Sequence, residues 1–313
     1  MVECESSGIA DPVASRFCTL RIKRVVPETS DAASLVLEAA DGDAPRFAYR
    51  PGQYVTLRPV IDGVAHLRSY SMSSSPAVDP ELQVTVKRVP DGLVSNWLLD
   101  ELHEGDPIEA MPPTGTFTTD ESDRPLVALA AGSGITPIFS ILKDVLFRPG
   151  RSSRLLLANR DHSSAIFGGE LDALARRFPD RFVLQFHTDE DSGFVGPAEV
   201  ERFISDAGDG DFYLCGPWGF METVEAVLRT HDVEESRIKK EVFTPSDALD
   251  IGTLTTESVA NQEGASVTIS MGREQVTVRH RPGTTILQTA RFAGLRAPSS
   301  CETGSCATCM ARV

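Results

Sequence analysis

Apolar and polar positions alternate over short stretches in the first third of the chain. Residues 20–22, 35–37 and 82–86 form such apolar or alternating runs, and prolines and glycines separate them. Short runs of this kind, bounded by turn-forming residues, are typical of β-strands that bury one face. We therefore predict a small antiparallel β-barrel over residues 17–120, preceded by an N-terminal tail over 1–16.

The pattern changes from residue 125 onward, where continuous apolar runs alternate with segments of helical period. The apolar runs begin at residues 125, 154, 182 and 211, and an amphipathic segment follows each of them. Strands and helices in strict succession indicate a doubly wound parallel sheet. The pattern therefore predicts an α/β domain over residues 121–244.

A polar stretch without periodicity, residues 245–265, is predicted to be a linker. Beyond it, the runs 266–271 and 275–281 flank a Gly-Arg pair, which predicts a β-hairpin. A segment of helical character follows the hairpin. These elements predict the beginning of a third, α+β domain over residues 266–313.

Composition and charge narrow the function classes. The 313 residues are enough for two or three domains, and the net charge of −15 disfavours nucleic acid and anionic membrane as partners. The sequence has no apolar run of about 18 residues, the length that a spanning helix needs. The N-terminus lacks the basic flank and apolar run of a signal peptide. We expect a cytoplasmic protein that binds neither nucleic acid nor membrane.

Three of the six cysteines lie close together near the end of the sequence: Cys301, Cys306 and Cys309. Their C-x4-C-x2-C spacing matches the plant-type 2Fe-2S run, but its fourth, distant cysteine is absent. No cysteine of this cluster has the nearby histidine of a Rieske centre, and structural zinc would need a second C-x2-C or a histidine pair. A thioredoxin-like interpretation of Cys306 and Cys309 leaves Cys301 and Gly304 unexplained. The sequence favours an iron–sulfur centre, and we expect a chain that is cut short in its last domain and holds little or no cluster.

The α/β domain contains a glycine-rich turn, AAGSGITPIF, between its first strand and first helix. Gly132 and Gly134 allow backbone amides to approach a phosphate, and Thr136 with Pro137 suits the start of a helix. The turn lacks the third glycine of the Rossmann fingerprint, and the second strand ends without a clear ribose-binding acid. It indicates a variant dinucleotide site or, alternatively, only a tight connection between a strand and a helix.

The fourth strand of this domain ends in Cys215, Gly216 and Pro217. Open parallel sheets bind ligands at the carboxyl ends of their strands, so these residues are candidates to contact a cofactor. A single cysteine after a strand is also commonly a small buried side chain. The Gly-Pro pair and the helix that follows favour the cofactor interpretation.

The barrel segment contains the stretch HLRSYSMSSSP, which combines a cation, an aromatic ring and several hydroxyls. Arg68 is suited to hold a phosphate, Tyr70 to offer a flat face to a ring, and Ser71 to hydrogen-bond a heterocycle. Downstream, Gly92 to Ser95 precede a helical run, whose N-terminus suits a second phosphate. Taken singly, each feature also fits a barrel surface or a capped helix.

The motifs RSYSMSSSP, GLVSNWL, PTGTF, GSGITP, CGP and KKEVF, in this order, resemble the ferredoxin-NADP reductase superfamily. With a plant-type ferredoxin domain at the C-terminus, the chain is similar to reductase components of bacterial multicomponent oxygenases. The nearest resemblance is to the phenylacetyl-CoA epoxidase and 3-ketosteroid 9α-hydroxylase reductase group. It implies a flavin β-barrel, a parallel-sheet nucleotide domain and an incomplete β-grasp ferredoxin domain.

The resemblance also implies which residues bind the cofactors. It places FAD against Arg68, Ser69, Tyr70, Ser71, Gly92, Ser95, Thr114 and Gly115. It places the nicotinamide nucleotide against Gly132, Gly134, Thr136, Arg160, Cys215, Gly216 and Pro217. Phe243 and Glu241 close the other face of the flavin, and the catalytic residues are Ser71, Cys215 and Glu241. From the residues alone, Glu241 is equally well interpreted as a surface carboxylate. The 2Fe-2S ligands are Cys301, Cys306 and Cys309.

A hydride carries two electrons, whereas a 2Fe-2S cluster accepts one at a time, so a flavin between the two explains the three-domain order. We predict a reductase that passes electrons from NADH, or NADPH, to a terminal oxygenase. FAD is expected rather than FMN because two anion-binding features suit a pyrophosphate. NADH is expected because Asp161 repels a 2'-phosphate, although Arg160 favours one. The alternatives are another acceptor, such as a hybrid-cluster protein, and a non-catalytic electron-carrier module.

Overall fold

The structure is a computed structural model, and it describes residues 17–205, 207, 209–243, 266–271, 274–279, 286 and 289. The N-terminal part contains eight strands and one helix. They are β1 (Cys18–Thr29), β2 (Ala32–Ala39), β3 (Tyr54–Arg58), β4 (Val60–Ile61), β5 (Val64–Ala65), β6 (Arg68–Ser71), β7 (Leu82–Lys87), α1 (Leu93–Asp100) and β8 (Pro107–Thr114).

Six of these strands form one antiparallel sheet in the order β6-β3-β8-β1-β2-β7. A bridge between Met72 and Val84 joins the end of β6 to β7, so the two edges of the sheet meet. Alternate residues of the strands, such as Leu20 and Ile22, fill the interior, and Leu98 of α1 packs against them. The predicted antiparallel barrel is confirmed.

The second part is an α/β domain with five parallel strands in the order β11-β10-β9-β12-β13. Its elements are β9 (Leu126–Ala131), α2 (Ile135–Phe147), β10 (Ser153–Asn159), α3 (Gly168–Arg177), β11 (Phe182–Thr188), α4 (Asp189–Ser192), α5 (Pro197–Ser205), β12 (Asp211–Cys215), α6 (Trp218–Thr230) and β13 (Ile238–Glu241).

The two faces of this sheet are buried in separate clusters, which is the signature of double winding. In β9, Leu126 and Ala128 face the cluster beneath α2 and α3, whereas Val127 and Leu129 face the cluster beneath α5 and α6. Because both faces are covered, the strands are apolar throughout rather than alternating. The predicted parallel sheet is confirmed, with β13 as a fifth strand that the sequence pattern did not reveal.

Helix α2 connects the barrel to the α/β domain. Ser140 Oγ donates a hydrogen bond of 2.5 Å to the carbonyl oxygen of Ser74, and Lys143 pairs with Asp79. A Cβ atom at Gly52 of the barrel would sit 2.9 Å from Cδ1 of Ile141 in α2. These close contacts fix the barrel and the α/β domain as one compact unit.

In the C-terminal unit, the structure describes the antiparallel hairpin of β14 (Ser266–Met271) and β15 (Glu274–Arg279). This hairpin was predicted. The predicted linker and the predicted cluster ligands Cys301, Cys306 and Cys309 lie outside the described residues. Among the helices that the structure describes, none has the length and apolarity needed to cross a membrane.

Candidate functional site

Strand β6 carries the proposed flavin-contacting residues. Arg68 and Tyr70 are half-buried, and Arg68 Nη1 donates to the carbonyl of Leu67 at 2.9 Å. Arg68 Nε is buried and has no hydrogen-bond partner in the described part of the chain. Buried donors are almost always paired. The unpaired guanidinium nitrogen therefore fits an anionic group from outside the polypeptide, such as a flavin phosphate.

The serines of this motif divide into two groups. Ser71 is buried at the end of β6, beside Tyr54 of β3, and exposed Ser69 lies 3.0 Å from the hydroxyl of Thr56. Ser73, by contrast, is fully buried and accepts a 2.8 Å hydrogen bond from Thr85. Ser74 is likewise bonded within the protein, to Tyr49. The hydroxyls of Ser73 and Ser74 thus stabilise the barrel, whereas Ser75 Oγ is buried without a hydrogen-bond partner among the described residues.

Helix α1 begins at Leu93 with Gly92 as its N-cap, so Ser95 lies inside the helix rather than before it. This corrects the sequence prediction, which started the helix after Ser95. Ser95 Oγ accepts a hydrogen bond from the Val89 amide at 3.1 Å, and a Cβ on Gly92 would lie 2.8 Å from that oxygen. Ser95 therefore shapes the turn, while the start of the helix offers backbone amides to a phosphate.

Thr114 ends β8 and leads into Gly115, whose φ of +120° is one that glycine favours. A Cβ at Gly115 would lie 3.1 Å from the ring of Tyr54. The need for glycine here is set by the barrel's own packing. The contact of this loop with FAD remains a prediction.

The two glycines of the β9–α2 turn differ in what they do. Gly132 has a φ of +55°, and no described atom lies within 4 Å of the position of its Cβ. At Gly134, a Cβ would lie 2.1 Å from the carbonyl oxygen of Cys215. Gly134 thus permits the turn to pack against the end of β12, and the open space is at Gly132. Thr136 is buried and donates to the Ser133 carbonyl at 3.0 Å, which stabilises the same turn.

A cavity of about 530 Å³, which we call the nucleotide cavity, opens at the carboxyl ends of β9, β10 and β12. Its apolar wall includes Ala131, Ala158, Val195, Pro217 and Phe220. Its polar wall includes Lys87, Asn159, Arg160, Ser164, Asp189 and Thr223. Of the residues predicted to bind the nucleotide, Gly132, Arg160 and Pro217 line it. Gly134, Thr136, Cys215 and Gly216 are not part of its lining.

The Asp161 carboxylate is used within its own turn. It accepts hydrogen bonds from the Ser164 amide at 2.8 Å and the Ser163 hydroxyl at 2.6 Å, and Arg160 Nε lies 2.9 Å away. The Ser163 hydroxyl and the Arg160 guanidinium hold the pKa of Asp161 well below its usual range. Arg160 lines the nucleotide cavity and Asp161 does not. The structure thus places Arg160, rather than Asp161, in the cavity lining, and the repulsion of a 2'-phosphate by Asp161 stays a prediction.

Cys215 and Glu241 are neighbours at the ends of β12 and β13. Both are buried, at 0% and 5% exposure, so Glu241 is not a surface carboxylate. Burial, and secondarily the Glu241 charge, raises the pKa of the Cys215 thiol well above its usual value. Phe243, just beyond β13, is 38% exposed. The thiol is therefore neutral, and contact with a nicotinamide requires the atoms that cover it to move.

Lys87 and Phe194 are among the lining residues of the nucleotide cavity that the sequence analysis missed. Lys87 ends β7 of the barrel and pairs with Asp31 at 2.9 Å, yet it lines a cavity of the α/β domain. Phe194 lies in the loop before α5, is 87% exposed, and also lines the cavity. No sequence signal identified Lys87, because its role depends on how the two domains pack.

Comparison with known proteins agrees with this domain order. The oxidoreductase FAD-binding domain matches residues 18–119, the oxidoreductase NAD-binding domain matches 128–226, and the 2Fe-2S iron-sulfur cluster binding domain matches 269–313. The predicted fold class and the predicted cofactor classes are thus confirmed at the level of domains.

Individual relatives cover nearly the whole chain. The ferredoxin reductase component of 3-ketosteroid-9-alpha-monooxygenase from Rhodococcus rhodochrous is 34% identical over 306 residues, covering 96% of this chain and 87% of the relative. The glycine betaine monooxygenase reductase subunit of Chromohalobacter salexigens is 31% identical, covering 93% and 83%. The structure of phthalate dioxygenase reductase matches with a TM-score of 0.65 and 25% identity, covering 95% of this chain and 87% of that protein. The chain therefore belongs to the family of FAD- and NAD-binding reductase components of oxygenases that carry a 2Fe-2S domain.

Proposed function

We propose that this protein oxidises NADH and passes the electrons, through FAD and a 2Fe-2S cluster, to a terminal oxygenase in the cytoplasm. The main structural support for this proposal is that Lys87 of the barrel lines the same cavity as Gly132 and Asn159 of the α/β domain. A nucleotide bound at the edge of the parallel sheet therefore lies against the barrel that the flavin occupies. Bound FAD supplies a ring that accepts a hydride and releases electrons singly.

In this proposal, Arg68 and the start of α1 hold the two phosphates of FAD. The buried Nε of Arg68 gains the partner that the polypeptide does not supply. Tyr70 offers its ring to the flavin, and Ser71 at the end of β6 hydrogen-bonds the heterocycle. Two separate anion-binding features favour FAD over FMN.

Cys215 and Glu241 are proposed to position the nicotinamide and to hold a proton near the flavin. Their adjacent burial supports this, because both side chains lie away from bulk water at the paired ends of β12 and β13. Phe243 is proposed to cover the flavin face where the nicotinamide enters.

The test uses the full chain loaded with FAD under anaerobic conditions. Addition of NADH should bleach the flavin absorbance, and ferricyanide should then be reduced with NADH consumption. An unchanged flavin spectrum would overturn the proposal and favour a non-catalytic electron carrier. NADH-dependent product formation by a co-purified oxygenase tests the identity of the acceptor.

A pair of cysteine variants tests the site within the same assay. Cys215→Ser should slow flavin reduction at saturating NADH about tenfold. The reason is that a small displacement of the nicotinamide ring from its position against the flavin lowers the rate of hydride transfer. Cys18→Ser is the matched control, since Cys18 is also buried but lies at the start of β1. Equal rates for both variants would remove Cys215 from the site.

A further inference from the structure

Asn159, the last residue of β10, has an unusual environment. Its side chain is 7% exposed and lines the nucleotide cavity. Its Nδ2 atom is buried and has no hydrogen-bond partner within the described ranges. Because buried side-chain donors are nearly always paired, a donor left unpaired in a cavity wall indicates a partner from outside the polypeptide.

Two polar residues, one paired with Asn159 in the sheet and one in the same cavity lining, bond to other groups. Thr188, its register neighbour on β11, donates its hydroxyl to Asp191. Ser164 completes the capping interaction with Asp161. Neither of these contacts involves Asn159 Nδ2, so the donor stays without a partner in the described part of the chain.

The lining of the cavity indicates which half of a nucleotide reaches Asn159. Cys215, Glu241 and Ser71, the residues proposed for the reaction, do not line it. Gly132 provides the open turn for a phosphate, and exposed Phe194 also lines the cavity. The cavity thus suits the half of the dinucleotide that does not react.

We propose that Asn159 donates a hydrogen bond from Nδ2 to the adenylate half of the nicotinamide nucleotide, at a ribose or phosphate oxygen. This inference rests on the proposed function and assigns a positioning residue to it. Asn159 holds the non-reacting half against the sheet edge and takes no part in the chemical step. Such an interaction is equally strong before and during the reaction, so its loss raises KM and leaves kcat unchanged.

The experiment measures the affinity of the full chain for ADP-ribose by calorimetry, together with kcat and KM for NADH. Asn159→Leu, which keeps the size and removes the donor, should weaken ADP-ribose binding about three- to tenfold. KM for NADH should rise by the same factor at constant kcat. Asn159→Asp, which places an acceptor and a charge at the same position, should weaken binding about tenfold or more.

Ser153→Ala is the matched control. Ser153 lies at the other end of β10, and its Oγ is also buried and unpaired among the described residues. It is not part of the cavity lining, so this variant should bind ADP-ribose as tightly as the wild type. Adenosine and 5'-AMP as probes distinguish the acceptor: a loss with both supports the ribose, and a loss with 5'-AMP alone supports the phosphate.

The inference is overturned if Asn159→Leu, or Asn159→Asp where the leucine variant does not fold, binds ADP-ribose as tightly as the wild type. It is also overturned if kcat falls while KM stays constant. This failure is distinct from failure of the proposed function, in which the wild type itself shows no flavin bleaching by NADH.

Discussion

The hydrogen bonds of Arg160 and Asp161 determine which of the two charges lies at the nucleotide cavity. From sequence, the two made opposite predictions about a 2'-phosphate. In the structure, Asp161 is held in its own turn and Arg160 lies on the cavity wall, 2.9 Å from the Asp161 carboxylate. The carboxylate thus acts by reducing the positive charge that Arg160 presents. NADH preference remains our proposal, with this as its physical basis.

Asp161→Asn should therefore raise kcat/KM for NADPH about threefold, because the Arg160 cation is then less neutralised. The amide oxygen still accepts the Ser164 hydrogen bond, so the turn is kept. The efficiency with NADH should change little. Steady-state kinetics with both nucleotides check this, and an unchanged ratio would separate Asp161 from nucleotide choice.

Arg68→Ala should weaken FAD binding about tenfold or more, through loss of a charge-assisted hydrogen bond. Tyr70→Ala should also weaken it, whereas Tyr70→Phe should retain most of the affinity because the ring is kept. Flavin retained after gel filtration measures the effect. Arg58→Ala is the control, since Arg58 pairs with Glu109 on the barrel. Full flavin occupancy in Arg68→Ala would remove that residue from the site.

At the scale of elements, the sequence predicted those strands and helices that are marked by a hydrophobic period and by turn-forming residues. The alternation around Leu20 and Leu82 predicted barrel strands, and the continuous apolar run at β9 predicted a buried parallel strand. Strand β13 was missed because its residues, IKKE, are mostly charged, and only its pairing with β12 makes it a strand. The sequence analysis assigned Gly134 to a phosphate. It could not show that Gly134 packs against Cys215, because that contact joins two segments that are far apart in sequence.

The two turn glycines give an element-scale prediction. Gly134→Ala places a Cβ 2.1 Å from the Cys215 carbonyl, so the β9–α2 turn must move away from β12. Because the opposing atoms are backbone, we expect a loss of about 3 kcal/mol or more in unfolding free energy, together with loss of flavin reduction by NADH. Gly132→Ala meets no described atom within 4 Å and should cost only about 1–2 kcal/mol, from its left-handed backbone. Thermal melts and NADH titration of both variants check this ranking, and equal nucleotide affinity in wild type and Gly134→Ala would contradict it.

At the scale of the whole molecule, the domain order was predictable and the contact between domains was not. Motifs identified a barrel followed by an α/β domain because each is a local pattern. The position of Lys87 in the nucleotide cavity depends on how α2 packs against the loop after β6, where Ser140 bonds to Ser74. That docking is fixed by pairs such as Lys143 with Asp79, which are separated by 64 residues in sequence. Long-range pairs of this kind leave no periodic signal.

The same interface contains Glu28 of β1, which accepts a hydrogen bond of 2.5 Å from Ser34. Burial, aided by the Glu170 charge of α3, raises the pKa of Glu28, although Ser34 and Lys143 of α2 oppose the shift. A carboxyl whose pKa is higher in the folded state contributes stability at low pH. That contribution is lost as the pH rises through the folded-state pKa.

Glu28→Gln keeps an oxygen for the Ser34 hydroxyl and removes the titrating charge from the interface. The variant should therefore unfold at a higher urea concentration than the wild type at pH 7. The difference should shrink as the pH falls and vanish at about pH 3, below the ordinary pKa of a glutamate, where Glu28 is protonated in both the folded and unfolded states. Glu38→Gln, an exposed substitution on neighbouring β2, should follow the wild type throughout. The prediction fails if the gain in urea stability of Glu28→Gln is constant with pH or absent at pH 7. Either result would show that the charge of Glu28 does not destabilise the contact between the barrel and the α/β domain.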